Sequence, residues 1–154
     1  MQPKKVMKTI PVWLDRLTSN LIVDIIGVLS ERHSDLLAVI LYGSIARHEE
    51  RPLSSNPSDV DLLAIFDSDD PLLAVNRGDT LSHTLGLAHN RHLDVPREVQ
   101  VMFASRNLQE WDPTFIANLA HDGIVLFHRG PLPTALEAYK DRSQRLSRIP
   151  PSHR

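Results

Sequence analysis

Along the first third of the chain, apolar side chains recur at Leu14, Leu17, Leu21, Ile25 and Val28. That spacing draws one stripe down a helix and predicts one over about 12–32. Gly27 lies inside it and weakens it slightly. Leu36 to Tyr42 then runs without a charged residue, as a strand buried on both faces does. The run stops at Gly43-Ser44, and Ile45 to Glu50 has room for a short helix start. Arg51 to Ser58 is loop chemistry, with two prolines, three serines and an asparagine. Asp59 to Phe66 reads as a second strand, ended by Asp67-Ser68-Asp69-Asp70-Pro71.

The pattern continues with a helix between Pro71 and His89, centred on Asp79 to His89 with Leu81, Leu85 and Ala88 inward. Arg97 to Ala104 predicts a third strand, because Val99, Val101 and Phe103 alternate with Glu98, Gln100 and Met102. Asp112-Pro113 reads as an N-cap followed by proline in the first helical position. This helix should end near His121, with Gly123 as its C′ residue. Ile124 to Phe127 forms a fourth, short strand, and about 133–145 a last helix. Helices and strands alternate, so the expected fold is α/β (α+β): a mixed β-sheet of about four to five strands with helices packed on it.

Composition narrows this picture. A chain of 154 residues is the size of one domain with a real core. We read residues 1–146 as that domain and 147–154 as a flexible basic tail. Aromatic residues make up only 5%, so the core rests on Leu, Ile, Val and Ala. There is no cysteine, which excludes disulfides and thiolate-bound zinc or iron–sulfur sites. No segment approaches the roughly 20 apolar residues of a bilayer span. The basic start, followed by Pro11, Asp15 and Arg16, lacks a signal-peptide core, and a cytoplasmic location is expected. A net charge of −2 argues against a general attraction to nucleic acid. The charge is uneven, however. Lys140, Arg142, Arg145, Arg148 and Arg154 face one acid, Asp141; this reads as a solvated tail, with a basic arm for an acidic partner as the alternative.

Two short elements carry candidate chemistry. Asp59 and Asp61 are two apart on a strand and so point to one face, with Cα atoms roughly 6–7 Å apart. Paired carboxylates repel unless a cation lies between them, and Mg²⁺ favours such oxygen ligands while keeping waters and substrate phosphates. Each element alone has a plainer reading: Asp-x-Asp as a strand-entry turn, and Gly43-Ser44 as a strand-to-helix turn. Together they frame a phosphate cradle at the end of one strand and a cation site on the next. A Gly-Ser turn presents free backbone N–H groups to phosphate.

Leu41-Tyr42-Gly43-Ser44-Ile45-Ala46-Arg47 followed by Ser58-Asp59-Val60-Asp61-Leu62-Leu63 resembles the signature of the nucleotidyltransferase superfamily related to DNA polymerase beta, in its minimal form. Asp122-Gly123 and the short strand after it resemble the end of that domain. The resemblance spans about 37–127. It implies the nucleotidyltransferase fold, with Gly43 and Ser44 at the nucleotide's phosphates, Arg47 positioning the site, and Asp59 and Asp61 on Mg²⁺ or Mn²⁺. It also implies an enzyme that moves a nucleoside monophosphate, foremost AMP from ATP, to a hydroxyl acceptor.

Two departures stand out. Fourteen residues separate Ser44 from Asp59, more than minimal members carry; we read Arg51 to Pro57 as a surface insertion. The family's third acid falls on Gln100 when Val99-x-Val101 is aligned, while Glu98 lies two residues earlier on the same face. Glu98 as the third catalytic acid and a weak or inactive site are both open readings. The second makes the chain an antitoxin-type or regulatory partner of a helical HEPN-type protein. A homodimer is a further option. A drug-modifying enzyme would need a larger acceptor domain than the chain after Phe127 offers. His89, His92 and Asp94 have the spacing of a zinc site, although histidines at a helix end are commonly surface residues. No hydrolase elbow, P-loop or dinucleotide motif occurs.

Overall fold

A computed structural model describes residues 5–7, 10–54, 56–108, 111–133 and 136, and nine elements lie among the described residues. In order they are β1 (Lys5–Met7), α1 (Arg16–Arg32), β2 (Leu36–Tyr42), β3 (Val60–Phe66), α2 (Leu73–Asn76), α3 (Gly78–His89), β4 (Val99–Ser105), α4 (Pro113–Asp122) and β5 (Ile124–Arg129). The strands make one mixed sheet in the order β1-β5-β2-β3-β4. Only β3 and β4 are parallel, joined through α2 and α3; the other neighbours are antiparallel. The expected α+β fold, a mixed sheet with helices packed on it, is what the chain adopts.

Local chemistry sets most boundaries. The first helix begins later than 12, because the Asp15 carboxylate caps it: Asp15 Oδ2 accepts from Thr18 N at 3.0 Å and from Thr18 Oγ1 at 2.6 Å. Residues before it form a turn in which Leu14 N donates to Pro11 O. Leu17, assigned to the apolar stripe, is 49% exposed, while Leu14, Leu21, Ile25 and Val28 are buried. No helix follows Ser44. Residues 44–48 form turns, and His48 takes a positive φ of 58° that ends any helical run. The predicted cap of α4 is present, with Asp112 accepting from Thr114 N and Pro113 in the first turn.

Gly123 corrects an expectation. It follows α4 at φ −65°, outside the left-handed region of a C′ glycine, so its reason is space. A Cβ there would lie 2.2 Å from Leu119 O and 2.9 Å from Ile40 Cγ2. The strand β1 and the short helix α2 carry too little pattern to be read from sequence. Residues 134–135 and 137–154, where the last helix and the basic tail were expected, lie outside the described residues.

The sheet separates two cores. On one face, α1 and α3 pack against each other and against Leu41, Leu62, Ala64 and Phe66. On the other, Ile116 and Leu119 of α4 cover Ile40, Leu63 and Ile65. Alternation puts Asp61 on the α4 face, with Leu63 and Ile65. That face is not covered to its edge: on β4, Gln100 and Met102 stay exposed. Among the described residues no helix is long and apolar enough to cross a membrane.

One buried cation ties the first core to the entry of β3, where the two aspartates lie. Arg97 is 7% exposed. Its Nε donates to Asp15 Oδ1 at 3.2 Å, and its two terminal nitrogens donate to Ser58 O and Arg51 O, both at 3.0 Å. Ser58 Oγ in turn accepts from Arg51 N at 2.7 Å, so the loop between β2 and β3 is closed at its base. Removing one partner of a buried, hydrogen-bonded ion pair costs roughly 3–5 kcal/mol. Arg97→Met should therefore destabilise the protein by about 3 kcal/mol in urea unfolding. In the same assay Gly123→Ala should cost roughly 1–3 kcal/mol through overpacking alone.

Candidate nucleotide and metal site

The site begins where β2 ends. Tyr42 pairs with Asp61 across the antiparallel β2–β3 ladder, so the next residue, Gly43, turns beside that carboxylate. Gly43 has φ 81°, a conformation that a Cβ strains. A Cβ would also lie 2.6 Å from Asp61 Oδ2. Glycine is required here for both reasons.

Beyond Gly43 the chain coils into a tight turn. Arg47 N donates to Gly43 O at 3.2 Å, His48 N to Ile45 O at 3.1 Å and Glu49 N to Ser44 O at 2.8 Å. The amides of Ser44, Ile45 and Ala46 donate to no acceptor among the described residues. Backbone amides left free in a turn are a concavity suited to anions. Trp13 braces the turn from outside: its indole Nε1 donates to Ile45 O at 2.7 Å, and its ring stacks on His48 at 4.4 Å.

The two aspartates have unlike surroundings. Asp59 is exposed and Asp61 is half-buried. Burial pushes the Asp61 carboxyl above the ordinary carboxylate range, the Asp59 charge pushes it further, and the Arg47 guanidinium partly offsets both. Burial and then the Asp61 charge likewise raise the Tyr42 phenol. Arg47 also pairs with Glu49 at 3.1 Å.

Beside Asp61 across the parallel β3–β4 ladder stands Gln100. Its amide Nε2 is 3.4 Å from Asp59 Oδ2, a long and weak contact. Glu98 lies just before β4 with an exposed side chain, and its carbonyl accepts from Val60 N at 2.8 Å. Asp59, Asp61 and Gln100 thus share the open end of the α4 face, with Glu98 at its rim. Among the described residues no three His, Asp or Glu side chains come close enough to hold a metal ion as a set. A cation here would rest on Asp59 and Asp61, completed by substrate oxygens and water. Hard divalent ions such as Mg²⁺ accept that ligand set, and Asp61's reluctance to ionise without a counter-charge fits it.

The histidine cluster does not form a metal site. His92 Nε2 meets Asp24 Oδ2 at 3.0 Å, Arg91 meets Asp24 Oδ1 at 3.1 Å, and His89 Nδ1 lies 2.9 Å from Leu85 O. The two contacts with Asp24 tether the end of α3 to α1, and the His89 contact lies within α3.

Phe115, Asn118 and Leu119 of α4 were not singled out from sequence; with Tyr42, Gly43, Arg47 and Asp122 they line a pocket of about 160 Å³. The signal for the α4 members was their spacing, which sets them on one helical face.

No family model matches the sequence, and no curated protein matches it. Several solved structures are similar to it. A toxin-antitoxin crystallised with AMP-PNP has 17% identity and a TM-score of 0.47, over 81% of this chain and 85% of that one. A mutant of the toxin-antitoxin MntA-HpeT has 14% identity and a TM-score of 0.45, over 81% and 84%. A candidate nucleotidyltransferase from Sulfolobus solfataricus has 15% identity and a TM-score of 0.44, over 75% and 90%.

Two outcomes follow from the Gly43–Asp61 contact. Gly43→Ala should destabilise the fold by at least about 1 kcal/mol from backbone strain. Trimming its neighbour should relieve the clash, so Gly43→Ala/Asp61→Ala should lose less than the sum of the two single variants in a double-mutant cycle. The second outcome concerns pH. Because Asp61's folded pKa lies above its unfolded value, its contribution to stability is complete below the unfolded pKa and is lost as pH rises through the folded one. Without divalent ions, Asp61→Asn should therefore melt higher than the unaltered protein at neutral pH. The gap should close as pH falls below the ordinary carboxylate range.

Proposed function

We propose that this chain is a nucleotidyltransferase-type domain that binds a divalent cation and a nucleoside triphosphate and transfers the nucleoside monophosphate, foremost AMP, to a hydroxyl acceptor. The observation that carries the reading is the contact of the Gly43 turn, with its free amides, against Asp61. Phosphate donors and a carboxylate pair are brought within one site, and phosphoryl chemistry depends on that pairing.

In this reading the amides after Gly43 and the Ser44 hydroxyl hold phosphate oxygens. Arg47 adds positive charge beside them. Asp59 and Asp61 hold Mg²⁺, which when bound neutralises phosphate charge. The acceptor hydroxyl oxygen attacks the α-phosphorus. A new P–O bond forms as the bond to the bridging oxygen breaks, and pyrophosphate leaves. The hydroxyl proton passes to a carboxylate, a role we assign to Glu98 at the rim. The work of the protein is positioning and charge, so orientation of the acceptor dominates the rate.

A specific observation favours a second reading. The side chain in register with Asp61 is Gln100, an amide that cannot take up a proton. A site of two acids and an amide is suited to binding a metal–nucleotide and poorly suited to turnover. The chain would then act as a nucleotide-dependent module, with a helical HEPN-type protein as the partner.

The decisive measurement is calorimetric titration with ATP, with and without Mg²⁺. Asp59→Asn and Asp61→Asn should each weaken Mg²⁺-dependent binding by at least about tenfold, the loss of one charge-assisted contact. Equal Mg²⁺–ATP affinity in all three proteins would sink the metal assignment. Incubation with α-labelled ATP and a co-encoded helical protein separates the two readings. Label transfer that Glu98→Gln abolishes, without changing Mg²⁺–ATP affinity, supports the enzyme. A stable complex without transfer supports the module.

A further inference from the structure

The phosphate turn and the two aspartates leave the pocket beside Gly43 without a task. Its volume of about 160 Å³ is well under the roughly 300 Å³ at which sites for drug-sized ligands begin. It suits one ring system with its attached hydroxyls and is too small for a whole nucleotide.

The walls are of two kinds. One is aromatic: Tyr42 and Phe115 meet edge to face at 5.5 Å and 86°, and Trp111 also packs against Phe115 at 5.6 Å, so that two aromatic neighbours hold its ring. The other wall is polar and comes from the same face of α4. Asn118 presents amide donors and a carbonyl acceptor. Asp122 is held by His121, whose Nδ1 lies 2.7 Å from Asp122 Oδ1; the second carboxylate oxygen has no hydrogen-bond partner among the described residues. Gly43 and Arg47 belong both to this pocket and to the phosphate turn, so a ligand whose phosphates lie on the turn directs its other end here.

We infer that the pocket between β2 and α4 is the nucleoside subsite: Phe115 takes the face of the base, Asn118 reads its polar edge, and Asp122 accepts a hydrogen bond from a ribose hydroxyl. The inference rests on the metal–nucleotide reading above. It assigns nucleoside selectivity to α4, an element that carries none of the metal or phosphate residues.

The test titrates the full chain, in Mg²⁺, with ATP, 2′-deoxy-ATP, 3′-deoxy-ATP and inorganic tripolyphosphate. Phe115→Ala and Asn118→Ala should each weaken ATP about tenfold while leaving tripolyphosphate unchanged, since stacking on an aromatic ring is worth roughly 1–3 kcal/mol per base. Unaltered protein should prefer ATP to at least one deoxy analogue, and Asp122→Ala, which removes the acceptor, should erase that preference. Phe115→Leu, which keeps an apolar side chain against Tyr42, guards against loss of folding and should still weaken ATP but not tripolyphosphate. If the protein binds tripolyphosphate but the α4 variants bind ATP as tightly as the unaltered chain, the subsite is overturned and the metal–nucleotide reading stands. If neither ATP nor tripolyphosphate binds in Mg²⁺, both fall together.

Discussion

The site depends on how closely the Gly43 backbone approaches the Asp61 carboxylate. Two adjacent antiparallel strands bring the end of β2 beside the start of β3. A side chain at position 43 would displace the carboxylate, and a right-handed backbone there would aim the following amides elsewhere. The same contact desolvates Asp61 on one side, and Asp59 adds like charge. Both effects raise the Asp61 carboxyl above its ordinary range. Strain and unpaired polar groups concentrate at functional sites.

That contact is held from behind by Arg97. The loop between β2 and β3 is long and mostly exposed, and alone it would leave the entry to β3 loosely placed. Arg97 sits under it, satisfied by Asp15 and by the carbonyls of Arg51 and Ser58. Asp15 also caps α1. One carboxylate thus serves the first helix and, through the guanidinium, the entry of β3, where Asp59 and Asp61 lie. The stability of the first core and the geometry of the site are coupled through a few hydrogen bonds.

The two faces of the sheet divide the labour. The α1–α3 face is closed and supplies most of the core. The α4 face is closed over β2 and the inner part of β3 and open over β4. Asp59, Asp61 and Gln100 stand on the open part, and the pocket of Tyr42, Phe115, Asn118 and Asp122 lies where α4 meets the end of β2. The acids on this face are open to solvent, and a walled pocket lies beside them.

Much of this was legible in the chain itself. The apolar runs 36–42 and 62–66 are continuous because both faces of those strands are covered there. Val99, Val101 and Phe103 alternate with polar residues because β4 is covered on one face. Asp112-Pro113 marks a helix start by local chemistry, and Gly43 marks a turn, because a left-handed backbone beside Asp61 needs glycine. What the sequence could not decide was set by contacts between residues far apart in the chain. The partner of Arg97 is 82 residues away, so nothing in its neighbourhood reveals a clamp. The alternation of β4 left Glu98 and Gln100 equivalent by face, and only the ladder to β3 sets Gln100 beside Asp61. Gly123 has the look of a helix-ending glycine, and only the packing of Leu119 and Ile40 reveals that it is there for lack of room. Periodicity reports which face of an element is buried; register and long-range hydrogen bonds, which decide what meets at the site, leave no trace in local spacing.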